Sequence, residues 1–433
     1  MLEYLPILLF AVIFLSMLFG YPVAFTLGGI SILAGLWIFD IQFFYLLALR
    51  VYGIMNNFVL LAVPLFVFMG MMLEKSGLAE RLLETMSLIF GRFRGGLAIA
   101  VILVGGLLAA STGIVGATVV TMGLISLPTM LKKGYGKGIA TGVIASSGTL
   151  GQIIPPSVVL VLLGSVLNVS VGDLFLAAVI PGVSLVFIYI FYVLVYAKVR
   201  PQEVPIVPAE ELAAFRKQGL NFEMVKTFLF PFLLVLAVLG SIFAGIASPT
   251  EAAGVGAFGA IILTLINKKL NIKILKEVSQ ETTKITSMVF MILVGATAFS
   301  LVFRGLEGDR YFLSIIESSN FSSSQFLLVV MLLVFVAGFF IDFIEIIFII
   351  VPIVAPVFVA LGVDLVWIGI LLAINLQTSF LTPPFGFALF YLKGLAPPEV
   401  KTTDIYKGII PFVIIQLIFL FILIQFPQVT AIF

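Results

Sequence analysis

The sequence contains neither cysteine nor histidine in 433 residues. Without cysteine, the chain has no disulfide, no thiol nucleophile and no thiolate metal site. Without histidine, it also lacks the commonest general base and the commonest metal ligand of proteins. The P-loop pattern that binds nucleotide phosphates is missing as well, which excludes ATP binding by that route. Any active transport by this chain therefore needs an ion gradient or a separate ATPase.

Charge is also scarce, because only 10% of the residues are charged and 62% are apolar. Soluble domains carry about 25% charged residues. The mean hydropathy is +1.29, and a soluble fold of this composition would expose much apolar area. A net charge of +2 gives no indication of nucleic acid as a partner. We therefore predict an all-α integral membrane protein whose solvent is the lipid bilayer.

The apolar segments predict about ten membrane spans, since one span needs about 20 mostly apolar residues. The first segment has only Glu3 before it and lacks the basic region of a cleaved signal peptide, so we expect it to remain as a helix. The predicted spans cover residues 5–20, 23–39, 52–73, 138–167, 174–197, 225–247, 250–266, 285–303, 364–392 and 409–426.

Two further regions, 95–133 and 326–360, predict re-entrant hairpins. Residues 95–131 carry no charge and are too many for one helix, and their centre at 110–118 is rich in hydroxyls and glycine. Each arm has about 15 residues, or roughly 22 Å of helix. Such an arm is shorter than the ~30 Å hydrocarbon core, so the tip stops inside the membrane. Residues 326–360 repeat this design around 338–342.

A constant spacing of 228 positions relates the two halves of the chain. It links Gly and Pro residues that flank the hairpins and the spans after them, including Pro128 with Pro356, Gly134 with Gly362, and Pro155-Pro156 with Pro383-Pro384. We predict a first repeat at 1–200, a linker at 201–221 and a second repeat at 222–433.

The basic residues predict how these repeats are oriented. Lys132, Lys133 and Lys137 follow the first hairpin, whereas the matching loop at 359–365 has no base. Because positive charge favours the cytoplasm, the first hairpin should open from inside and the second from outside. The linker should be cytoplasmic. Five spans per half is an odd number, so the second repeat should be inverted, as in many secondary transporters.

Two predicted spans contain the motifs that carry chemistry. Residues 145–157 and 375–384 place hydroxyls, amides and a Pro-Pro pair at membrane depth. Proline removes amide donors and disfavours helix before it, so both helices should break. Free carbonyls and hydroxyls suit Na⁺, and amides at a half-helix start suit a carboxylate. The simpler alternative is a kinked helix whose hydroxyls bond their own backbone.

These motifs define two sets of candidate residues. The predicted cation ligands are Ser147, Gly148, Thr149, Gly151, Asn375, Thr378, Ser379 and Asp342. The predicted substrate contacts are Ser111, Thr112, Gly113, Pro155, Pro156, Thr382, Pro383 and Pro384. Na⁺ is the only predicted metal ion, and no cofactor is expected.

Asp342 and Glu345 are the most isolated charges in the sequence. They follow 24 uncharged residues and precede 18 more. An ionisable residue inside a membrane is a functional hypothesis by default. Asp342 is either a cation ligand or a carboxylate that stabilises the hairpin tip. The structural alternatives are an ion pair with a base such as Arg304, or a shallow, hydrated position.

Several segments together resemble the large membrane subunit of TRAP (tripartite ATP-independent periplasmic) transporters. They are Ala-Ser-Thr-Gly at 110–113, Pro-Thr-Met-Leu-Lys-Lys-Gly-Tyr at 128–135, Ser-Gly-Thr-Leu-Gly-Gln-Ile-Ile-Pro-Pro-Ser at 147–157, Ser-Pro-Thr-Glu-Ala-Ala at 248–253 and Leu-Thr-Pro-Pro-Phe-Gly at 381–386. The resemblance covers nearly the whole chain. It implies a transporter rather than an enzyme, with an elevator mechanism driven by a Na⁺ gradient in the inner (cytoplasmic) membrane of a bacterium or archaeon.

The resemblance also implies partners. They are a small four-helix membrane subunit, a periplasmic substrate-binding protein and a small organic acid as substrate. The small subunit is expected as a separate polypeptide. The nearest alternative is a stand-alone sodium/dicarboxylate symporter of similar architecture without a binding protein. An intramembrane enzyme would have only carboxylates to work with, and a passive channel fits paired broken helices less well.

Overall fold

The computed structural model describes residues 4–113, 115–206, 222–311, 314 and 322–430, without the side chains of 111, 112 and 222–228. Helices and short 3₁₀ turns form all the regular structure in these ranges. The α-helices are α1 Leu5–Met17, α2 Val23–Ile38, α3 Tyr45–Met55, α4 Ala62–Lys75, α5 Leu78–Ile89, α6 Gly96–Thr112, α7 Val115–Lys132, α8 Lys137–Thr149, α9 Val158–Leu167, α10 Val171–Val199, α11 Phe222–Phe243, α12 Pro249–Ile266, α13 Ile272–Gly305, α14 Ser323–Ala337, α15 Phe343–Ile349, α16 Val351–Ala360, α17 Leu365–Leu381, α18 Phe387–Leu395 and α19 Thr402–Gln425.

Six stretches in these described ranges are long and apolar enough to cross a membrane, and the bent pair α15–α16 would make a seventh. They are Phe58–Lys75, α7, α10, α12, α13 and α19. Eight more apolar helices of 10–17 residues accompany them. The all-α membrane class is therefore confirmed, whereas ten as the number of spans stays a prediction.

Two predicted spans have different ends in the structure. The helix expected at 285–303 begins at Ile272, because Asn271 caps it by accepting a hydrogen bond from the Ile274 amide. The span expected at 52–73 is divided between α3 and α4. Asn57 causes this interruption, since its side chain accepts from the Val59 amide and starts a 3₁₀ turn. Polar caps therefore set these boundaries where apolar content alone did not.

Both predicted hairpin regions form pairs of helices. In the first, α6 ends at Gly113, whose φ of +62° turns the chain toward α7. In the second, α14 and α15 are joined by Gly338–Asp342. The returning arm is bent by 49° between α15 and α16, beside Pro352. Proline removes an amide donor from the helix, and this accounts for the bend.

Each Pro-Pro pair lies between two helices. After α8, a 3₁₀ turn at Leu150–Gln152 leads to Pro155-Pro156 and then α9. After α17, Pro383-Pro384 leads to α18. Both Pro-Pro peptide bonds are cis. We call residues 146–157 the first break and residues 375–386 the second break.

Close packing joins elements from opposite halves of the chain. A Cβ added at Gly408 of α19 would lie 2.0 Å from the carbonyl oxygen of Gly138 in α8. A Cβ added at Gly142 of α8 would lie 2.2 Å from the carbonyl oxygen of Gly408, so α8 and α19 meet backbone to backbone. Gly369 of α17 lies against the side chain of Leu174 of α10. Each broken helix therefore packs on the long helix of the other half.

The segment between α4 and α6 forms α5. It buries Leu82, Leu83 and Met86 and exposes Arg81. This is the pattern of an amphipathic helix with one face on the core.

Candidate functional site

The hydroxyls of the first break are fully buried and bond to their own helix. Ser147 donates to the Ile144 carbonyl at 3.0 Å, and Thr149 donates to the Ser146 carbonyl at 2.9 Å. This is the local bonding of the simpler alternative. The hydroxyl oxygens nevertheless keep lone pairs, so these bonds leave their role as cation ligands a prediction.

The first hairpin covers the first break. A Cβ added at Gly151 would lie 2.2 Å from the Ala109 carbonyl oxygen in α6, and one added at Gly148 would lie 3.1 Å from the Val119 Cα in α7. At the tip, a Cβ on Gly113 would lie 3.0 Å from the Val158 amide nitrogen. Both arms and the tip therefore contact the break directly. The side chains of Ser111 and Thr112, two predicted substrate contacts, lie outside the described ones.

A side chain of the first break caps the helix that follows it. Ser157 accepts a hydrogen bond from the Leu160 amide at 3.4 Å and donates to the Gln152 carbonyl at 2.8 Å. Pro155 and Pro156 are buried. The start of α9, where a carboxylate would bind, is thus already occupied in part by a side chain.

The second break is joined to the second hairpin by a side-chain amide. Asn375 donates to the Met331 carbonyl of α14 at 2.7 Å. A Cβ added at Gly338, at the end of α14, would lie 2.1 Å from the hydroxyl oxygen of Ser379. Both residues are buried. This face of α17 therefore packs on the hairpin.

The hydroxyls of the second break also bond locally. Thr378 donates to the Ile374 carbonyl at 2.7 Å, and Thr382 donates to the Thr378 carbonyl at 2.8 Å. Pro384 is exposed, and Phe385 keeps 44% of its accessible surface. Gly386, the N-cap of α18, provides no side-chain cap. The second break is consequently more accessible than the first.

Asp342 and Glu345 lie at the start of α15, in the tip of the second hairpin. Asp342 accepts a hydrogen bond from the Phe343 amide at 2.7 Å, which caps α15. Glu345 is 8% exposed, and its Oε2 has no hydrogen-bond partner among the described residues. Asp342 does not pair with Arg304, which pairs with Asp309 at 3.2 Å, and the shallow, hydrated position stays an alternative.

Tyr391 of α18 packs against the first hairpin. A Cβ at Gly116 of α7 would lie 3.2 Å from its ring. No motif in the sequence singled out Tyr391, because only the packing of α18 against α7 places it beside the first hairpin.

Three buried polar residues were also missed. Gln416 of α19 donates to the hydroxyl of Tyr189 of α10, and both side chains are fully buried. Gln377 of the second break is fully buried as well. Glutamines within long uncharged stretches were the available signal, because a buried amide in a membrane needs a partner.

The two breaks lie beside each other. The 3₁₀ turn Leu150–Gln152 contacts α17, and the α9 helix contacts α17 as well. The structure thus gathers the predicted cation ligands of both breaks into one part of the molecule, with one hairpin over each set. A half-helix start, local hydroxyls and amides make this region suited to binding an anion and a hard cation.

A family model and curated relatives match nearly the whole chain. The model described as "Tripartite ATP-independent periplasmic transporter, DctM component" matches residues 10–429. The C4-dicarboxylate TRAP transporter large permease protein DctM of Vibrio cholerae is 32% identical over 447 residues, covering 98% of this chain and 96% of that protein. The sialic acid TRAP transporter large permease protein SiaM of the same species is 30% identical, covering 96% and 95%.

One relative is longer. The isethionate TRAP transporter permease protein DctMQ of Oleidesulfovibrio alaskensis is 28% identical over 435 residues, which cover 97% of this chain but 66% of that protein. Among solved structures, the YdaH transporter of Alcanivorax borkumensis has a TM-score of 0.61 at 14% identity, covering 89% of this chain and 88% of that one. The similarity to the YdaH structure concerns the fold alone. The relatives are permeases and not enzymes, and this chain belongs to the DctM family, the large membrane subunits of TRAP transporters.

Proposed function

We propose that this chain carries a small organic acid, a carboxylate, across the cytoplasmic membrane of a bacterium or archaeon, with Na⁺ as the coupling ion. The observation that carries the proposal is the pair of neighbouring helix breaks, each under a hairpin. Hydroxyl and carbonyl oxygens at the breaks are ligands for Na⁺, and the uncapped start of α18 is suited to an anion.

The names of the relatives support this substrate class. Two of them specify C4-dicarboxylates and sialic acid, which are carboxylates, and a third specifies isethionate, a sulfonate of similar charge and size. We further propose that a periplasmic binding protein delivers the substrate and that a small membrane subunit accompanies this chain. The family's tripartite description and the longer DctMQ relative support these two partners.

Uptake by proteoliposomes tests the proposal. The chain and its small partner are reconstituted, and a radiolabelled panel of dicarboxylates, sialic acid and 2-oxo acids is offered with and without the binding protein. We expect uptake of one acid only under an inward Na⁺ gradient and only with the binding protein. Equal uptake under a K⁺ gradient would contradict sodium coupling, and uptake without the binding protein would favour the stand-alone symporter.

We also propose that transport is an elevator movement of the hairpins and broken helices against α4 and its neighbours. Thr121 of α7, in the first hairpin, donates a hydrogen bond to Glu74 of α4 at 2.6 Å. In this cysteine-free chain, cysteines at both positions can be joined by a bifunctional thiol reagent, and we expect uptake to stop. Cysteines at Phe326 and Phe358, whose rings are 4.9 Å apart within one hairpin, provide the control.

The inverted orientation of the repeats has a direct test. Single cysteines at Lys133 and Gly362 follow the two hairpins and can be labelled by a membrane-impermeant reagent. We expect labelling from opposite sides. Labelling of both from one side would contradict the inversion, without bearing on the family.

A further inference from the structure

A groove beside the end of α10 combines an apolar wall with two bases. It has a volume of 630 Å³ and lies between α10 and the turn that precedes α6. Phe93, Phe191 and Leu194 form much of the wall, and Arg94 and Lys198 lie at its polar end. No acidic residue is among the described residues that line this groove. The groove therefore has a net positive charge next to apolar surface.

A glycine holds the two sides of the groove together. Gly95 has a φ of +85°, and a Cβ there would lie 3.0 Å from Val193 Cγ1 and 3.2 Å from Val204 Cγ1. Only glycine fits this turn so closely against α10. The turn thereby places Phe93 and Arg94 beside α10, so close packing of the backbone forms this side of the groove.

The two bases at the polar end are exposed and oriented. Arg94 Nη1 donates to the Pro201 carbonyl at 3.0 Å, which fixes the guanidinium at the end of α10. Lys198 is exposed one residue before α10 ends. The neighbouring base Arg200 differs, because it is paired with Glu203 at 3.1 Å. Arg94 and Lys198 therefore provide the charge of the groove.

An apolar track on α10 leads into the groove. Its exposed side chains follow helical spacing, so they lie on one face of the helix, and they are Ile180, Val183, Phe187, Phe191 and Leu194. From the first to the last, the track is roughly 21 Å long. That length exceeds half of the ~30 Å hydrocarbon core. An acyl chain lying on this face would bring its headgroup to Arg94 and Lys198.

We propose that this groove binds one anionic phospholipid, with its phosphate between Arg94 and Lys198 and an acyl chain along α10. Basic pockets next to membrane helices recognise such headgroups, and each base near the surface contributes about a factor of five. The predicted topology places the groove in the cytoplasmic leaflet. The site is independent of the substrate and of the coupling ion.

Native mass spectrometry of the purified full chain tests this proposal. The delipidated protein is titrated with phosphatidylglycerol or with phosphatidylcholine. We expect the phosphatidylglycerol affinity to fall roughly 30-fold when Arg94→Gln and Lys198→Gln are combined, since two bases are lost. Phosphatidylcholine carries the same phosphate beside a choline cation, so its binding should be weaker in the native chain and should fall by a smaller factor. The matched control is Lys273→Gln with Lys276→Gln, two exposed bases on α13 that do not line the groove.

Two results would overturn the proposal. One is equal binding of both lipids by the native chain, which would indicate that this face accepts lipid or a protein partner without regard to headgroup charge. The other is an equal loss in the groove variant and the control, which would indicate attraction by surface charge alone. Gly95→Ala is the second variant, because it keeps both bases but displaces the turn. We expect it to weaken phosphatidylglycerol binding several-fold, and unchanged binding would also contradict the site.

Discussion

The two breaks share their spacing and their cis Pro-Pro bonds, yet their surroundings differ. Ser157, buried, caps α9 in the first break, whereas position 385, which is 228 residues later, is an exposed phenylalanine. Gly151 allows the first hairpin to touch the backbone of the first break, and its counterpart in the second break is Ser379. The first break is therefore closed by backbone contact and by a cap, and the second remains accessible.

This difference shows how one architecture supports two roles. A repeat fixes where each helix breaks, because proline acts locally. The cap, the neighbouring glycine and the acids at the hairpin tip decide what each break can bind. Asp342 and Glu345 have Ile114 and Ala117 as counterparts, so only the second hairpin has acids at its tip. We expect the second break to be the more sensitive one in transport.

The largest effect is expected from Asp342→Asn, which keeps the volume and removes the charge at the second hairpin. If the carboxylate helps to hold Na⁺, uptake should fall roughly 100-fold, since interactions of a charged group contribute about 1.5–3 kcal/mol. The initial rate of uptake into proteoliposomes at several Na⁺ concentrations measures this decrease. Assembly with the small partner should be retained.

The double variant Asp342→Asn with Arg304→Gln is the control for this prediction. Because Arg304 already pairs with Asp309, we expect no recovery of uptake. Full recovery would assign Asp342 to an ion pair with Arg304, and wild-type Na⁺ dependence in Asp342→Asn would remove it from the cation site.

Gly151→Ala should reveal the close contact in the first break. The added methyl would lie 2.2 Å from the Ala109 carbonyl oxygen. Overpacking of this kind costs about 1–3 kcal/mol, so the free energy of unfolding in detergent should fall by about 2 kcal/mol. Gly394→Ala, where nothing lies within 4 Å, is the matched control and should leave stability unchanged or slightly raised. An equal loss in both would contradict the contact.

Thr378→Val and Thr149→Val compare the hydroxyls of the two breaks. Both changes keep the shape and remove one buried oxygen. We expect the Na⁺ concentration for half-maximal uptake to rise in both variants. The rise should be roughly five-fold for Thr378→Val, which corresponds to a loss of about 1 kcal/mol in Na⁺ binding, and smaller for Thr149→Val. An unchanged Na⁺ dependence in both variants would remove these hydroxyls from the cation sites.

Ser157→Ala should have the smallest effect. Loss of an N-cap costs about 1 kcal/mol, so chemical unfolding should show a lower stability. The substrate concentration for half-maximal uptake should not change, because the anion is expected at the uncapped start of α18. A marked rise in that concentration would indicate that the first break binds the substrate instead.

The sequence predicted well what depends on local chemistry. Hydropathy indicates the all-helical membrane class, and the motifs around residues 128–157 and 381–386 indicate the family, which the comparisons confirm. Helix ends were predicted less well where Asn57 and Asn271 act as caps. Hydropathy windows average over such single polar residues.

The candidate site was predictable only in part. The breaks follow from Pro155-Pro156 and Pro383-Pro384, but the contact of Tyr391 with Gly116 and the link between Tyr189 and Gln416 depend on tertiary packing. No local pattern encodes which buried glutamine finds a partner on another helix. The identities of the Na⁺ ligands and the substrate contacts stay predictions.

The contact between α8 and α19 also constrains the order of assembly. Lys137, at the start of α8, donates to the carbonyl of Glu399, just before α19, and these residues are 262 positions apart. At roughly 5–20 residues per second, a ribosome needs some tens of seconds to synthesise that interval. During this delay the glycine face of α8 has no α19 to contact. The nascent first half therefore stays in the bilayer without its partner helix during this interval. A membrane chaperone or a protease could bind the exposed face of α8 in that time.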